Sequence, residues 1–261
     1  VITPSLKLGK TPARPGAISL KLSDYIDLSK LPTPPITFGH DGLVTQPLGM
    51  LGNDEYGDCV WAGAAHETML WNAEAGIVVP FNPQNTLSDY SAVTGFDPNA
   101  TPDSDGNNPT DQGTDMQQAA KYRQNTGILD ANGNRHMIGA YLAIKTGDLA
   151  EHLAACYLFS AVGIGITFPS TALQQFNSGD PWDVVAGSTI EGGHYVPGIA
   201  RRNGMLVVYT WGQEQPMTDA FFQANNDESI VYLSPEMLTG GKSLEGFDMD
   251  QLNADLADLR S

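Results

Sequence analysis

The apolar pattern of this chain changes period once along its length, and that change limits the folds open to it. From Val60 to Ala75 there is no proline, and apolar residues recur at helical spacing, Val60, Ala64, Met69 and Leu70 among them. Asp58 stands where an N-cap would, and Gly76 where a helix would end. Further helices are expected near 86–94, ending at Gly95, over Thr114 to Thr126, stopped by Gly127, and over Asp148 to Cys156. From Tyr157 the pattern turns strand-like. Leu158, Val162, Ile164, Ile166 and Phe168 follow with glycines between them, as in a strand buried on nearly both faces. Apolar or β-branched runs recur at 194–200, 205–212 and 229–233, and Asn203-Gly204 between two of them signals a hairpin. Helices first and strands afterwards predict an α+β fold, with a helical half over about 48–130 and a β half over about 131–235.

Two segments lie outside that core. Residues 1–47 contain Pro4, Pro12, Pro15, Pro32, Pro34, Pro35 and Pro47, which break any regular element, so an extended arm strapped over the body is expected. A docking arm for a protein assembly partner is the other reading. Residues 236–261 form a tail in which Asp248 to Leu259 reads as an amphipathic helix, with Met249, Leu252, Leu256 and Leu259 on one face.

Charge narrows the partners. The formal net charge is −17, which argues against nucleic acid, because phosphate contacts need clustered Lys and Arg. Five of the 13 basic residues, Lys7, Lys10, Arg14, Lys21 and Lys30, fall in the arm. An arm that straps across its own acidic body needs no external partner. No apolar run reaches 18 residues and no signal-peptide pattern opens the chain, so membrane insertion is not expected and a cytoplasmic or virion-associated protein is.

The chemistry centres on one of the two cysteines. Cys59 falls in the first turn of the expected helix, where unpaired N–H groups and the dipole lower a thiol pKa. Gly57 before it allows close substrate approach. Asn53, six residues upstream, carries an amide that can donate to an oxyanion, with the Cys59 N–H as the second donor. His194 is the candidate base. It follows Gly192-Gly193, which clear space for a substrate chain, and Trp211 after the next strand can cover it from water. Cys156, inside an apolar run, reads as core packing.

These segments resemble the papain-like cysteine peptidase superfamily. That family has a Gln six residues before its nucleophile, a Cys opening a long helix, a Gly before a strand-borne His, and an Asn-Ser-Trp-Gly segment after a hairpin. Here Asn53, Cys59, Gly193-His194 and Trp211-Gly212 stand at those places. Gln112-Gly113-Thr114 with Ala119, Tyr122 and Gly127-Ile128 resembles the family's Gly-Gly turn, helix and Gly-Ile exit. Leu158 to Gly179 resembles the strand and loop before the His. The chain also resembles papain-like proteins of bacterial and phage genomes with Gly-Asn-Asp…Gly-Asp-Cys and Thr-Trp-Gly segments. The resemblance implies a helical half packed on a twisted antiparallel β half, with the cleft between them.

One departure bears on activity. Tyr209 stands where the family has the Asn that orients the His, which leaves Thr210, Gln213 or nothing to do so. Two functions are therefore expected. One is a thiol hydrolase acting on a peptide or protein in the cleft. The other is a catalytically silent scaffold with a structural or binding role, for example in a virion.

No cofactor is expected, and no metal. His66 lies on the face of Cys59 but reads as a core histidine, while His40, His136 and His152 are expected at the surface or in loops. Asp103, Asp105, Asn107 and Asp111 start like a calcium loop, but Asn108 and Thr114 stand where Gly and Glu are required, so a solvated acidic loop is expected.

Overall fold

A computed structural model describes residues 6–25, 33–238 and 242–245. The arm enters extended and makes a short 3-10 turn at Leu22–Asp24. Then come β1 (Phe38–Gly39), α1 (Cys59–Glu74), α2 (Pro83–Thr94), α3 (Met116–Asn125), β2 (Ile128–Leu129), β3 (Arg135–His136) and β4 (Ala140–Ile144). The second half holds α4 (Leu149–Phe159), β5 (Val162–Pro169), α5 (Ser170–Ser178), β6 (Ile190–Arg202), β7 (Met205–Thr210), β8 (Gln213–Met217), α6 (Asp219–Asn225) and β9 (Asn226–Leu233).

One antiparallel sheet runs in the order β4-β9-β5-β6-β7-β8, and β1 pairs with the far end of β6. β2 and β3 make a separate ribbon. The helix α1 lies against β6 and is buried on every side, Ala73 alone excepted. Such a helix belongs inside a domain and not on its surface. Gly63 makes the approach possible, because a Cβ there would sit 2.5 Å from the Tyr195 ring on β6. Polar residues inside this helix are satisfied locally: the Thr68 hydroxyl donates to the Ala64 carbonyl and Asn72 to that of Thr68.

The α+β expectation holds, and most element ends follow their sequence signals. Asn82 caps α2 with Pro83 in first position, three residues ahead of the expected start, and Gly95 ends it in the left-handed region. Asp148 caps α4. Asn203 and Gly204 both take positive φ, 52° and 76°, as a type I′ hairpin needs.

Other expectations need correction. Tyr157 to Phe159 continue α4; the chain reverses at Ser160, φ 64°, and the strand begins only at Val162. The helix expected from Thr114 starts at Met116, capped by Asp115. The region read as mostly β also carries α5, α6 and the polar edge strand β8. The amphipathic helix expected over Asp248 to Leu259 lies outside the described residues.

Candidate active site

Cys59 opens α1, fully buried. Asp58 occupies the N-cap position, but its side chain caps nothing. It turns inward instead against Gly52, where a Cβ would meet its Oδ2 at 2.9 Å, and burial pushes its carboxyl well above the usual range. The Cys59 sulfur accepts the Tyr195 backbone N–H at 3.4 Å, and the Gly9 N–H of the arm also faces it. Burial outweighs both donors and raises the thiol to about 12. Cys59 is a neutral thiol in this conformation.

His194 sits on β6 opposite Ile166 of β5, one residue before the amide that faces the Cys59 sulfur. Its Nε2 shares a 2.8 Å hydrogen bond with the Thr210 hydroxyl, and its Nδ1 is buried without a partner. The Trp211 ring stacks on the imidazole, centroids 4.5 Å apart and 20° from parallel. Phe168 meets the imidazole edge-on at 5.5 Å. Trp211 reaches over it from a backbone φ of 44°, a strained value for a large side chain. Enclosure by aromatic surface pulls His194 down to about 3, so it is neutral too.

Thr210 is thus the residue that holds the imidazole. Gln213, its cross-strand partner, is exposed at the start of β8. Tyr209 points to the other face of β7, where its ring meets that of His66. Residues alternate across a strand, so the two functions of this stretch fall on opposite faces.

The cleft is not empty of protein: the arm runs through it. Asn53 Nδ2 and Trp211 Nε1 both donate to the Lys7 carbonyl, at 3.2 Å each. Gly9 and Lys10 donate backbone N–H groups to the Gly193 carbonyl, at 3.2 and 3.0 Å. Thr114 on the opposite wall donates to the Gly9 carbonyl and accepts from the Thr11 N–H, in a parallel bridge. Glycine meets glycine along this path. A Cβ on Gly9 would lie 1.8 Å from the Gly57 carbonyl oxygen, and one on Gly113 would lie 2.5 Å from that of Gly9. A Cβ on Gly193 would press on the Lys10 carbonyl at 2.3 Å. The close approach expected at Gly57 and Gly193 is made by the chain's own arm.

Sequence reasoning missed the supports beneath the site. Glu67 and Arg123 form a buried ion pair at 2.7 Å, the Tyr195 hydroxyl donates to Glu67 at 2.6 Å, and Arg123 lies 4.0 Å over the Tyr232 ring. Asp111 of the acidic loop accepts the Gly57 N–H and the Tyr90 hydroxyl, fixing the turn before Cys59. The only signal for it was its place beside Gln112-Gly113. Elsewhere in that loop Asp97 accepts the Asn99 N–H, and Asp103 those of Asp105 and Asn107, within their own turns.

Of the histidines, His152 departs most from expectation. His66 is a core residue facing the Leu48 and Gly49 carbonyls. His152 is not at the surface: it is wholly buried in α4 against Phe222, both ring nitrogens unpartnered, and burial lowers it to about 3. His40 and His136 are half-buried, beside Glu74 and Glu236 respectively. Cys156 is buried, as expected. Among the described residues no three His, Cys, Asp or Glu side chains gather as a metal would need, and no helix is long and apolar enough to cross a membrane.

The whole fold is similar to those of papain-like cysteine proteases. Xylellain, a cysteine protease from Xylella fastidiosa, superposes with a TM-score of 0.59 at 13% identity, over 90% of this chain and 99% of that one. The procathepsin B S9 of Trypanosoma congolense gives 0.61 at 10% identity, over 89% of each chain. The ragweed pollen allergen Amb a 11, a cysteine protease in its proform, gives 0.54 at 16% identity, over 84% of this chain and 71% of its own. No family model matches the sequence. No curated protein matches it either. At these identities the likeness is one of fold, and the fold is papain-like.

Proposed function

We propose that this chain is a thiol hydrolase acting on peptides, held silent in this conformation by its own arm. The observation that carries the reading is the conjunction at the cleft. Cys59 starts a helix, its sulfur faces the amide next to His194, and His194 is held at Nε2 by Thr210 with Nδ1 left over. A hydroxyl can fix an imidazole where an amide does so elsewhere, because either supplies one acceptor.

The chemistry proceeds once the arm leaves and water returns. The Cys59 proton passes to His194, and the sulfur attacks the peptide carbonyl carbon. Asn53 Nδ2 and the Cys59 N–H, unpaired at a helix start, hold the oxyanion. His194 gives its proton to the leaving amine as the C–N bond breaks. Water then attacks the thioester, its proton going to His194 and on to the departing sulfur. With the arm in place none of this starts. Asn53 is engaged by the Lys7 carbonyl, the sulfur faces N–H groups, and thiol and imidazole are both neutral. One of the similar folds, Amb a 11, is itself described in a proform.

The test is a Gly9→Ala variant of the full chain, whose new Cβ has no room beside the Gly57 carbonyl and must lift the arm. Peptide hydrolysis should appear in Gly9→Ala and vanish in Gly9→Ala/Cys59→Ala. A silent scaffold is the second reading, and the tightly seated arm favours it. An arm shown by limited proteolysis to be released, with no turnover of any peptide in a mixed library, decides for the scaffold.

A further inference from the structure

Lys10 is the arm residue whose side chain leaves the cleft and enters the body. Its ammonium is 0% exposed. It meets three acceptors, the Asp227 carboxylate at 2.8 Å, the Glu228 carboxylate at 3.1 Å and the Thr11 carbonyl at 3.0 Å. An ammonium has three N–H donors, so every one is placed. The four-carbon stem runs past Gly165, where a Cβ would strike Lys10 Cε at 2.2 Å and Met116 Sδ at 2.9 Å. Gly165, Met116, Asp227 and Glu228 therefore enclose a slot with an apolar neck and an anionic floor. Its position is fixed by the sheet. Gly165 pairs with Tyr195 on one side and with Glu228 on the other, one register step from the Ile166–His194 pair.

We infer that this slot is the specificity pocket of the site, and that it selects peptides carrying a lysine or arginine side chain. The inference rests on the hydrolase reading of Cys59 and His194. Three features support it. The slot opens onto Thr114, whose backbone pairs with the residues on both sides of Lys10. An extended peptide paired with Thr114 in either direction sends one side chain the same way. With Lys10 withdrawn, two adjacent carboxylates face each other in a partly dry site. Burial already pushes Glu228 above its ordinary range against the pull of Lys10. A cationic side chain relieves that repulsion, a neutral one does not, and an acidic one adds to it. The arm then docks because it imitates the preferred side chain, while its parallel register at Thr114 brings an N–H to the sulfur.

The test uses full-length Gly9→Ala, with Lys10→Met as a second arm-releasing variant. A peptide library scanned at every position is assayed for kcat/KM, and binding of a lysine-containing peptide amide is followed by calorimetry. Lys and Arg at one position should exceed Leu there by about 30-fold or more, the discrimination expected of a buried hydrogen-bonded charge. In Asp227→Asn/Glu228→Gln, which keeps shape, that ratio should fall towards one. In Gly165→Ala, which narrows the neck, it should fall for both long side chains. Turnover with no basic preference, or a preference that survives Asp227→Asn/Glu228→Gln, overturns the pocket while the hydrolase stands. No turnover, with lysine-peptide binding that the double variant abolishes, overturns the hydrolase and leaves the slot as a basic side-chain site. Neither turnover nor binding overturns both.

Discussion

Two buried ion pairs lie within a few residues of the same strand, and they are built differently. Glu67 and Arg123 join α1 to α3, and both are shut away from solvent. Tyr195 donates into the pair, and the rings of Tyr232 and Trp71 cover the guanidinium. Every partner belongs to a helix or a strand of the core. Lys10 and its two carboxylates join the arm to β9, and the carboxylates keep an exposed edge. The arm around Lys10 has no element of its own; it is held by backbone hydrogen bonds and by glycine facing glycine. The first pair cannot be opened without unfolding. The second can leave with its segment, since both halves regain water when they part. A core pair of this kind fixes a geometry, and a pair at the cleft can serve as a latch.

Breaking the core pair should have the largest effect. Arg123→Ala leaves Glu67 buried without its counter-ion, so urea unfolding should show a loss of about 3–5 kcal/mol. Lys10→Met sharpens the contrast. It should expose residues 6–20 to limited proteolysis, yet leave the unfolding of the body within about 1 kcal/mol of the parent, because the freed carboxylates rehydrate. An equal loss in both variants would erase the difference between them.

Thr210→Val acts between these regions. It strips His194 of its one hydrogen bond, and about 1 kcal/mol of stability should go with it. In an arm-released background kcat should drop at least about tenfold with KM little changed, as for a lost orienting group. A pH-dependent effect concerns the body alone. His152 is lowered to about 3 by burial, so its contribution to stability is present above the unfolded value near 6.5 and is lost as pH falls towards 3. His152→Leu removes that loss. Its stability relative to the parent should rise by up to about 1.4 kcal/mol per pH unit between 6.5 and 4 in pH-dependent unfolding.

The sequence showed what depends on neighbours in the chain and hid what depends on distant ones. The α1 start at Cys59, the caps at Asn82 and Asp148 and the turn at Asn203-Gly204 are local, and each was legible or nearly so. The set Asn53, Cys59, His194 and Trp211 came from the resemblance of short segments to the papain-like family. Strand β8, Gln213–Met217, was not, since an edge strand of polar residues carries no apolar alternation. His152 looked like a surface residue because nothing in α4 tells which apolar faces meet Phe222. Asp58 looked like a cap because residue type cannot show a side chain turning inward. Thr210 and Gln213 pair across the β7–β8 hairpin, and only burial, which takes in Thr210 and leaves Gln213 exposed, separates them. The arm's path through the cleft rests on contacts such as Lys10 to Asp227, 217 residues apart.

The central claim is a reactive thiol under the arm. Alkylation of Cys59 by a peptidyl epoxide, followed by mass spectrometry in parent and Gly9→Ala, measures this directly. With the thiol at about 12 the parent should react slowly. Gly9→Ala should react about a hundredfold faster or more at Cys59, with Cys156 unmodified in both and the gain lost in Gly9→Ala/His194→Ala. Equal rates in the two proteins, with the arm shown to be released, would contradict it.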